Sequence, residues 1–117
     1  MEAQLRVLST GNREDWRALV DPPGEAGTGG AEADVFAVGP FTTGLWEREP
    51  DTWSFERPYH EIAMILQGEA DIETPDGTVH TVKAGDVLVT PKGTKGTWRI
   101  TETIVKFYAI YVPPPED

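Results

Sequence analysis

The chain has 117 residues, which is enough for one domain with a buried core and too few for two. Twenty acidic side chains against ten basic ones give a formal net charge of -10, so we expect neither nucleic acid nor a membrane surface as a partner. The absence of cysteine excludes disulfides and thiolate chemistry, and no apolar stretch approaches the ~20 residues that span a bilayer. With no secretory signal at its start, the sequence predicts a soluble cytoplasmic protein.

The first third of the chain carries weak signals of regular structure. Residues 1–8 alternate loosely and predict an edge strand. Residues 9–20 have apolar side chains at helical spacing behind acidic ones, which predicts a short helical or irregular segment whose Trp16 caps a barrel formed by the rest of the chain. Residues 21–34 are rich in glycine and proline and predict a flexible loop.

The rest of the chain consists of short strand candidates separated by regular turn signals. An apolar run at residues 62–66 is too short for a typical helix and is closed by Gly68, which predicts a strand buried on both faces. Asp76-Gly77 is a tight-turn dipeptide, and the prolines from Pro113 onwards end the last strand because proline cannot donate to a sheet. The predicted strands are residues 35–38, 41–47, 53–55, 62–66, 70–74, 78–82, 87–90, 97–100 and 104–112.

This succession of short strands predicts an all-β sandwich or closed barrel. We divide the chain into an N-terminal extension with its loop over residues 1–34, a barrel over residues 35–112 and a solvated tail over residues 113–117. The runs at 62–66, 87–89 and 105–112 are expected to be its core strands. Alternation in the last strand turns Lys106 and Tyr108 to the same face.

Two motifs carry a family resemblance. Gly85, Pro91 and Gly93 match the second motif of the cupins, and Glu61 and Gly68 match the spacing that ends their first motif. The chain therefore resembles the cupins, and this implies an antiparallel jelly-roll β-barrel. The phrase PKGTKGTW, with a tryptophan upstream and the ending KFYAIY, is similar to the subgroup of the (S)-ureidoglycine aminohydrolase C-terminal barrel and the ethanolamine-utilisation cupin.

The resemblance also implies a metal site of three histidines and one glutamate, and here the chain departs from the family. Only Glu61 stands at its expected place. The histidine positions hold Phe55 and Arg57, or Ser54 and Glu56 with a longer spacing, and Gly96. A lone carboxylate binds transition metals poorly, so we expect no resident cofactor unless a divalent metal recruits His60, His80 or water. Strand alternation turns His60 away from Glu61, and His80 is expected at the surface near a hairpin tip.

The remaining candidate site is the barrel interior around Glu61. A buried carboxylate needs a cation or a hydroxyl as its partner, and a partly desolvated one can act as a general acid or base. We predict Glu61, Tyr59 and Lys106 as catalytic residues, and Trp46, Arg57, Trp98 and Tyr108 as ligand-binding residues. The alternative is that Glu61 lines the barrel and is only satisfied there by a salt bridge or a hydrogen bond.

Two functions stay open. The resemblance implies an enzyme that acts on a polar C–N metabolite of the ureidoglycine type, with Glu61 at its centre. The missing histidines favour instead a metabolite-binding or accessory barrel without chemistry of its own. We also expect a homodimer, because an outer face of His60, Ile62, Met64 and Leu66 is too apolar to stay wet unless the N-terminal segment or the second sheet covers it.

Overall fold

The structure is a computed structural model that describes residues 3–19 and 29–115. These residues contain eight β-strands and no helix, and the strands form one continuous antiparallel sheet. The strands are β1 (Arg17–Ala18), β2 (Gly30–Val38), β3 (Phe41–Arg48), β4 (Thr52–Glu56), β5 (His60–Glu73), β6 (Val79–Lys83), β7 (Val87–Thr90) and β8 (Lys95–Tyr111). The predicted all-β jelly-roll barrel is confirmed. No described helix is of the length and hydropathy that crossing a membrane requires.

Two long strands, β5 and β8, form the spine of the barrel. They pair with each other from His60 opposite Tyr111 to Glu73 opposite Thr97. Along one half of this ladder β3 pairs with β8 and β7 pairs with β5, and along the other half β4 pairs with β8 and β6 pairs with β5. Two sheets, β3-β8-β5-β7 and β4-β8-β5-β6, therefore share their two central strands.

The sheets meet at a bend around Gly68, where the register between β5 and β8 slips from Ile65 to Ala70. Gly68 has a φ of 89°, which an L side chain rarely adopts. A Cβ placed on it would lie 2.0 Å from the carbonyl oxygen of Thr103 on β8. Only glycine allows the two backbones to approach this closely.

The apolar core lies mainly in the half of the barrel formed by β4, β6 and the strands between them. Its buried side chains are Ile65, Ala70, Ile72, Val82, Trp98, Ile100 and Ile104. Trp46, Trp53, Phe55 and Leu88 are partly buried against this core. The other half of the barrel has a different interior, with buried polar groups that include Glu61, Thr90 and Lys106.

The prediction of an edge strand at the start of the chain is wrong in the described residues, since residues 3–8 form no strand. The segment after it takes the irregular alternative, with turns around residues 10–11 and 14–15 before β1 and no helix. The indole of half-buried Trp16 donates to the carbonyl of Asn12 and lies under the guanidinium of Arg13, and these local contacts satisfy it. Its role as a cap of the barrel stays a prediction.

Residues 30–34, predicted as loop, are strand. Small side chains make this possible, because a Cβ on Gly30 would meet Cδ1 of Leu19 at 2.6 Å and the carbonyl oxygen of Glu47 at 2.3 Å. The predictions for residues 1–2, 20–28 and 116–117 lie outside the described residues.

The apolar run in β5 is buried on one face only, which corrects the prediction of burial on both. Ala63 and Ile65 are 1% exposed, whereas Ile62 is 54% and Met64 is 47% exposed. β7 behaves in the same way, because Leu88 packs on the core while its neighbours face outward. We call six exposed side chains the outer apolar face: Ile62, Met64, Val87, Val89, Phe107 and Tyr111.

Candidate functional site

A cavity of about 330 Å³ lies inside the barrel. All seven side chains predicted for the site line it: Trp46, Arg57, Tyr59, Glu61, Trp98, Lys106 and Tyr108. Leu19, Glu32, Arg48, Trp53 and Ile110 complete the lining. The structure thus brings the predicted residues to one place, and their catalytic and binding roles stay predictions.

Strand alternation accounts for which side chains enter the cavity. On β5 Glu61 is 4% exposed and points inward, while the neighbouring His60 is exposed and stacks on Tyr111. On β8 the inward positions hold Lys106 and Tyr108. Arg57 and Tyr59 come from the short connection between β4 and β5.

The centre of the cavity is a buried ion pair. Nζ of Lys106 donates to Oε2 of Glu61 over 2.7 Å, and their side chains are 7% and 3% exposed. A guanidinium nitrogen of Arg57 lies 3.8 Å from the same oxygen, and its Nε donates to Oγ1 of Thr90 over 3.2 Å. Glu61 therefore faces two cations, which offsets the cost of burying its charge.

Burial sets the protonation of the surrounding groups. It lowers the pKa of the Lys106 ammonium below its usual value, the Glu61 carboxylate opposes that shift, and the charge of Arg57 adds to it. Burial and the Glu61 charge raise the pKa of Tyr59, and burial with the nearby acidic side chains raises that of Tyr108. Both phenols therefore stay protonated at neutral pH and can donate hydrogen bonds to a ligand.

Aromatic rings form much of the cavity wall. Trp53 and Trp98 stack with centroids 5.9 Å apart and planes 9° apart, and Trp46 is tilted against Trp53 at 6.1 Å. Nζ of Lys106 lies 4.8 Å from the Trp46 centroid and 5.7 Å from that of Trp98. The wall thus offers flat apolar surface beside a cation.

The sequence analysis missed a second charged pair in the lining. Arg48 is paired with Asp51 over 2.6 Å, with side chains 1% and 0% exposed, and its guanidinium lies 4.4 Å from the Trp53 centroid. Among the described residues, one buried side-chain nitrogen or oxygen atom lacks a hydrogen-bond partner, and this atom is Nε of Arg48. Opposite charges three residues apart around Pro50 were the signal that could have revealed this pair.

The donor set does not fit the metal site that the cupin resemblance implies. In residues 3–19 and 29–115 no group of three or more His, Cys, Asp or Glu side chains could hold an ion. His60 lies on the outer side of β5, where its Nδ1 accepts from the backbone N–H of Lys92 at 3.0 Å, and His80 is exposed on β6. Lys106 already supplies the positive charge beside Glu61 that an ion would provide.

Comparisons with known proteins place this architecture. A family model described as the EutQ-like cupin domain matches residues 36–108. No curated protein matches the chain.

Three solved structures illustrate the likeness. A putative ethanolamine utilization protein Q from Salmonella typhimurium is 22% identical over 73% of this chain and 71% of its own, with a TM-score of 0.63. The EutQ protein of Clostridium difficile is 24% identical over 71% and 69%, with a TM-score of 0.61. A protein of unknown function from Rhizobium leguminosarum is 22% identical over 95% and 100%, with a TM-score of 0.69. At these identities the likeness concerns the fold alone.

Proposed function

Because the chain belongs to the EutQ-like cupin domain family, as its motifs predicted, we propose that its barrel binds a small organic anion in the cavity around Glu61. The observation that carries this proposal is the charge of the lining. Three cations, Arg48, Arg57 and Lys106, line the cavity against two carboxylates, Glu32 and Glu61. The lining therefore has an excess of positive charge in a protein whose net charge is -10. An excess of positive charge in a half-open aromatic cavity attracts and holds an anion.

The lining also indicates the chemical class of the ligand. Arg57 presents the planar donors that suit a carboxylate, and Glu61 can accept a hydrogen bond from an N–H group. The stacked rings of Trp53 and Trp98 suit a planar amide or ureido group. A cavity of about 330 Å³ is at the small end of ligand sites. A polar C–N metabolite of the ureidoglycine type combines these features.

We propose general acid–base chemistry on such a ligand. Glu61 is placed to take a proton, and the Lys106 ammonium, 2.7 Å from its carboxylate, is placed to stabilise developing negative charge or return a proton. Tyr59 supplies a further donor in the same lining, and the charge of Glu61 acts on its hydroxyl. The second candidate function, metabolite binding without chemistry, is favoured by the fact that Glu61 is already neutralised by its ion pair.

Calorimetric titration with N-carbamoylglycine, which carries a ureido group and a carboxylate, tests the binding proposal. We expect Arg57→Gln to weaken binding ~10-fold or more, because it removes a charged hydrogen-bond donor. The matched control is Arg99→Gln, which removes an arginine that pairs with Glu73 at the surface, with side chains 46% and 40% exposed. Ammonia released from the bound compound supports the acid–base function, and binding without release supports the second candidate.

Two results contradict the binding proposal. One is equal affinity for N-carbamoylglycine and for N-ethylurea, which lacks the carboxylate. The other is equal affinity of the Arg57→Gln and Arg99→Gln variants.

We also propose that the outer apolar face is the interface of a homodimer. Its side chains are neighbours across the sheet, since Ile62 lies between Val89 and Ala109, and Met64 between Val87 and Phe107. None of its six side chains carries a charge, so it is where two copies with a net charge of -10 can approach without facing acidic groups. A twofold axis would bury the face of both copies at once.

Light scattering after size-exclusion chromatography tests the dimer. We expect the wild-type protein to have the mass of two chains and Ile62→Glu to have the mass of one, because the change buries a charge at the interface. Val79→Glu is the matched control, since Val79 is also 54% exposed but lies on β6, outside the face. A wild-type mass of one chain across the micromolar range would contradict the proposal.

A further inference from the structure

Lys106 differs from the other lysines of the chain. The sequence has four, and Lys83, Lys92 and Lys95 are exposed, whereas Lys106 is 6% exposed and lines the cavity. Its Nζ makes one described hydrogen bond, to Glu61, and has the rings of Trp46, Trp98 and Tyr108 within 6.0 Å. Glu61 and these ring faces are the described groups that stabilise the charged form of this amine.

The surroundings favour release of the amine as a nucleophile. Burial lowers the pKa of Lys106, and the charge of Arg57 adds to this shift against the opposing effect of the Glu61 carboxylate. Burial and a neighbouring cation are the two ways in which proteins activate lysine amines. The carboxylate of Glu61 lies 2.7 Å from Nζ and can receive the proton that must leave before attack. The nucleophile and its base are thus already in hydrogen-bond contact.

We propose that Lys106 forms a Schiff base with the carbonyl carbon of a small 2-oxo acid, with Glu61 carrying the protons. The inference rests on the proposed function, because it uses the same cavity and the same anion-binding role of Arg57. The guanidinium of Arg57 lies 3.8 Å from the carboxylate that pairs with Lys106, so a carboxylate held by Arg57 brings the adjacent carbonyl carbon towards Nζ.

The atoms balance without a further reactant. Glu61 takes one proton from the ammonium, and the freed electron pair of Nζ forms the C–N bond while the carbonyl π pair moves to oxygen. Glu61 returns its proton to that oxygen to give a carbinolamine. Glu61 then takes the second proton from the nitrogen and passes it to the hydroxyl, the freed nitrogen pair forms the C=N bond, and the C–O bond breaks to release water. The product is a protonated imine, whose positive charge replaces that of the ammonium beside Glu61.

Glyoxylate, the smallest 2-oxo acid, followed by sodium borohydride tests the proposal on the intact protein. Borohydride reduces an imine to a stable secondary amine, which adds one carboxymethyl group to the lysine. We expect one such group per chain, and peptide mapping should place it on Lys106 in preference to the three exposed lysines. Lys106→Arg, which keeps the positive charge but forms no imine under these conditions, should lose the label, and Lys95→Met should keep it.

Label spread over the exposed lysines, or an unchanged label in Lys106→Arg, would overturn the proposal. Peptide mapping of the wild-type protein gives this answer even if the variant fails to fold. The result is separable from the binding proposal, because N-carbamoylglycine has no aldehyde or ketone carbonyl for the amine to condense with. Binding of that compound without glyoxylate labelling at Lys106 overturns the Schiff base alone.

Discussion

Gly68→Ala is expected to destabilise the protein by about 4 kcal/mol or more, which is at the upper end of single substitutions. Two costs combine at this position. The backbone has a φ of 89°, and the new Cβ would lie 2.0 Å from the carbonyl oxygen of Thr103, a backbone atom on the partner strand. Relief of this clash requires the β5–β8 ladder to separate where both sheets depend on it. Urea denaturation measures the change in the free energy of unfolding.

Gly77→Ala is the matched control, because Gly77 has a similar φ of 86° but no atom within 4 Å of the point where a Cβ would lie. It should lose only the conformational cost of about 1–2 kcal/mol. Equal losses at Gly68 and Gly77 would mean that the contact with Thr103 contributes nothing and that the bend tolerates a side chain.

Glu61→Gln is expected to lower the free energy of unfolding by about 3–5 kcal/mol, because it leaves the buried ammonium of Lys106 without its counter-charge. Lys106→Met should cost less, since Glu61 keeps the guanidinium of Arg57 at 3.8 Å. The double variant Glu61→Gln/Lys106→Met should lose less than the sum of the two single changes, because it removes both buried charges together.

The control for this cycle is Glu73→Gln, which breaks the surface pair of Glu73 with Arg99. Exposed pairs contribute about 0–1 kcal/mol, so this variant should unfold close to the wild type. Additive losses in the cycle, or a loss at Glu73 as large as that at Glu61, would show that the buried pair does not stabilise the barrel as a unit.

Strand alternation made much of the site predictable. Once the motif placed Glu61 on a strand, the period of two assigned His60 to the opposite side, and the same rule on the last strand selected Lys106 and Tyr108. These choices need no tertiary information, because they follow from local backbone geometry. Trp46 and Trp98 were selected by no such rule, but as aromatic side chains on neighbouring predicted strands.

Other features depend on contacts between distant segments. Gly30 to Asp34 has the composition of a loop, and it becomes strand because β3 and β1 pair with it on both sides. The two predicted strands at 97–100 and 104–112 are one strand, β8. The polar residues 101–103 between them are exposed and continue the strand through the bend opposite Gly68. Alternation placed Ile62 on the outer face, but the apolar run could not show whether another segment covers that face.

The shared spine has a consequence for how the protein is made. β4 pairs with β8, and β8 also completes the pairing of β3 and β5, so every one of these contacts waits for the strand that is synthesised after the other seven. Hairpins such as β2–β3 and β5–β6 can form early, but Trp53 and Phe55 on β4 have no partner strand until residues 95–99 of β8 have been synthesised. Barrel closure therefore depends on β8, and non-local pairing of this kind takes on the order of milliseconds to seconds, an interval in which the aromatic side chains of β4 lack their partner strand.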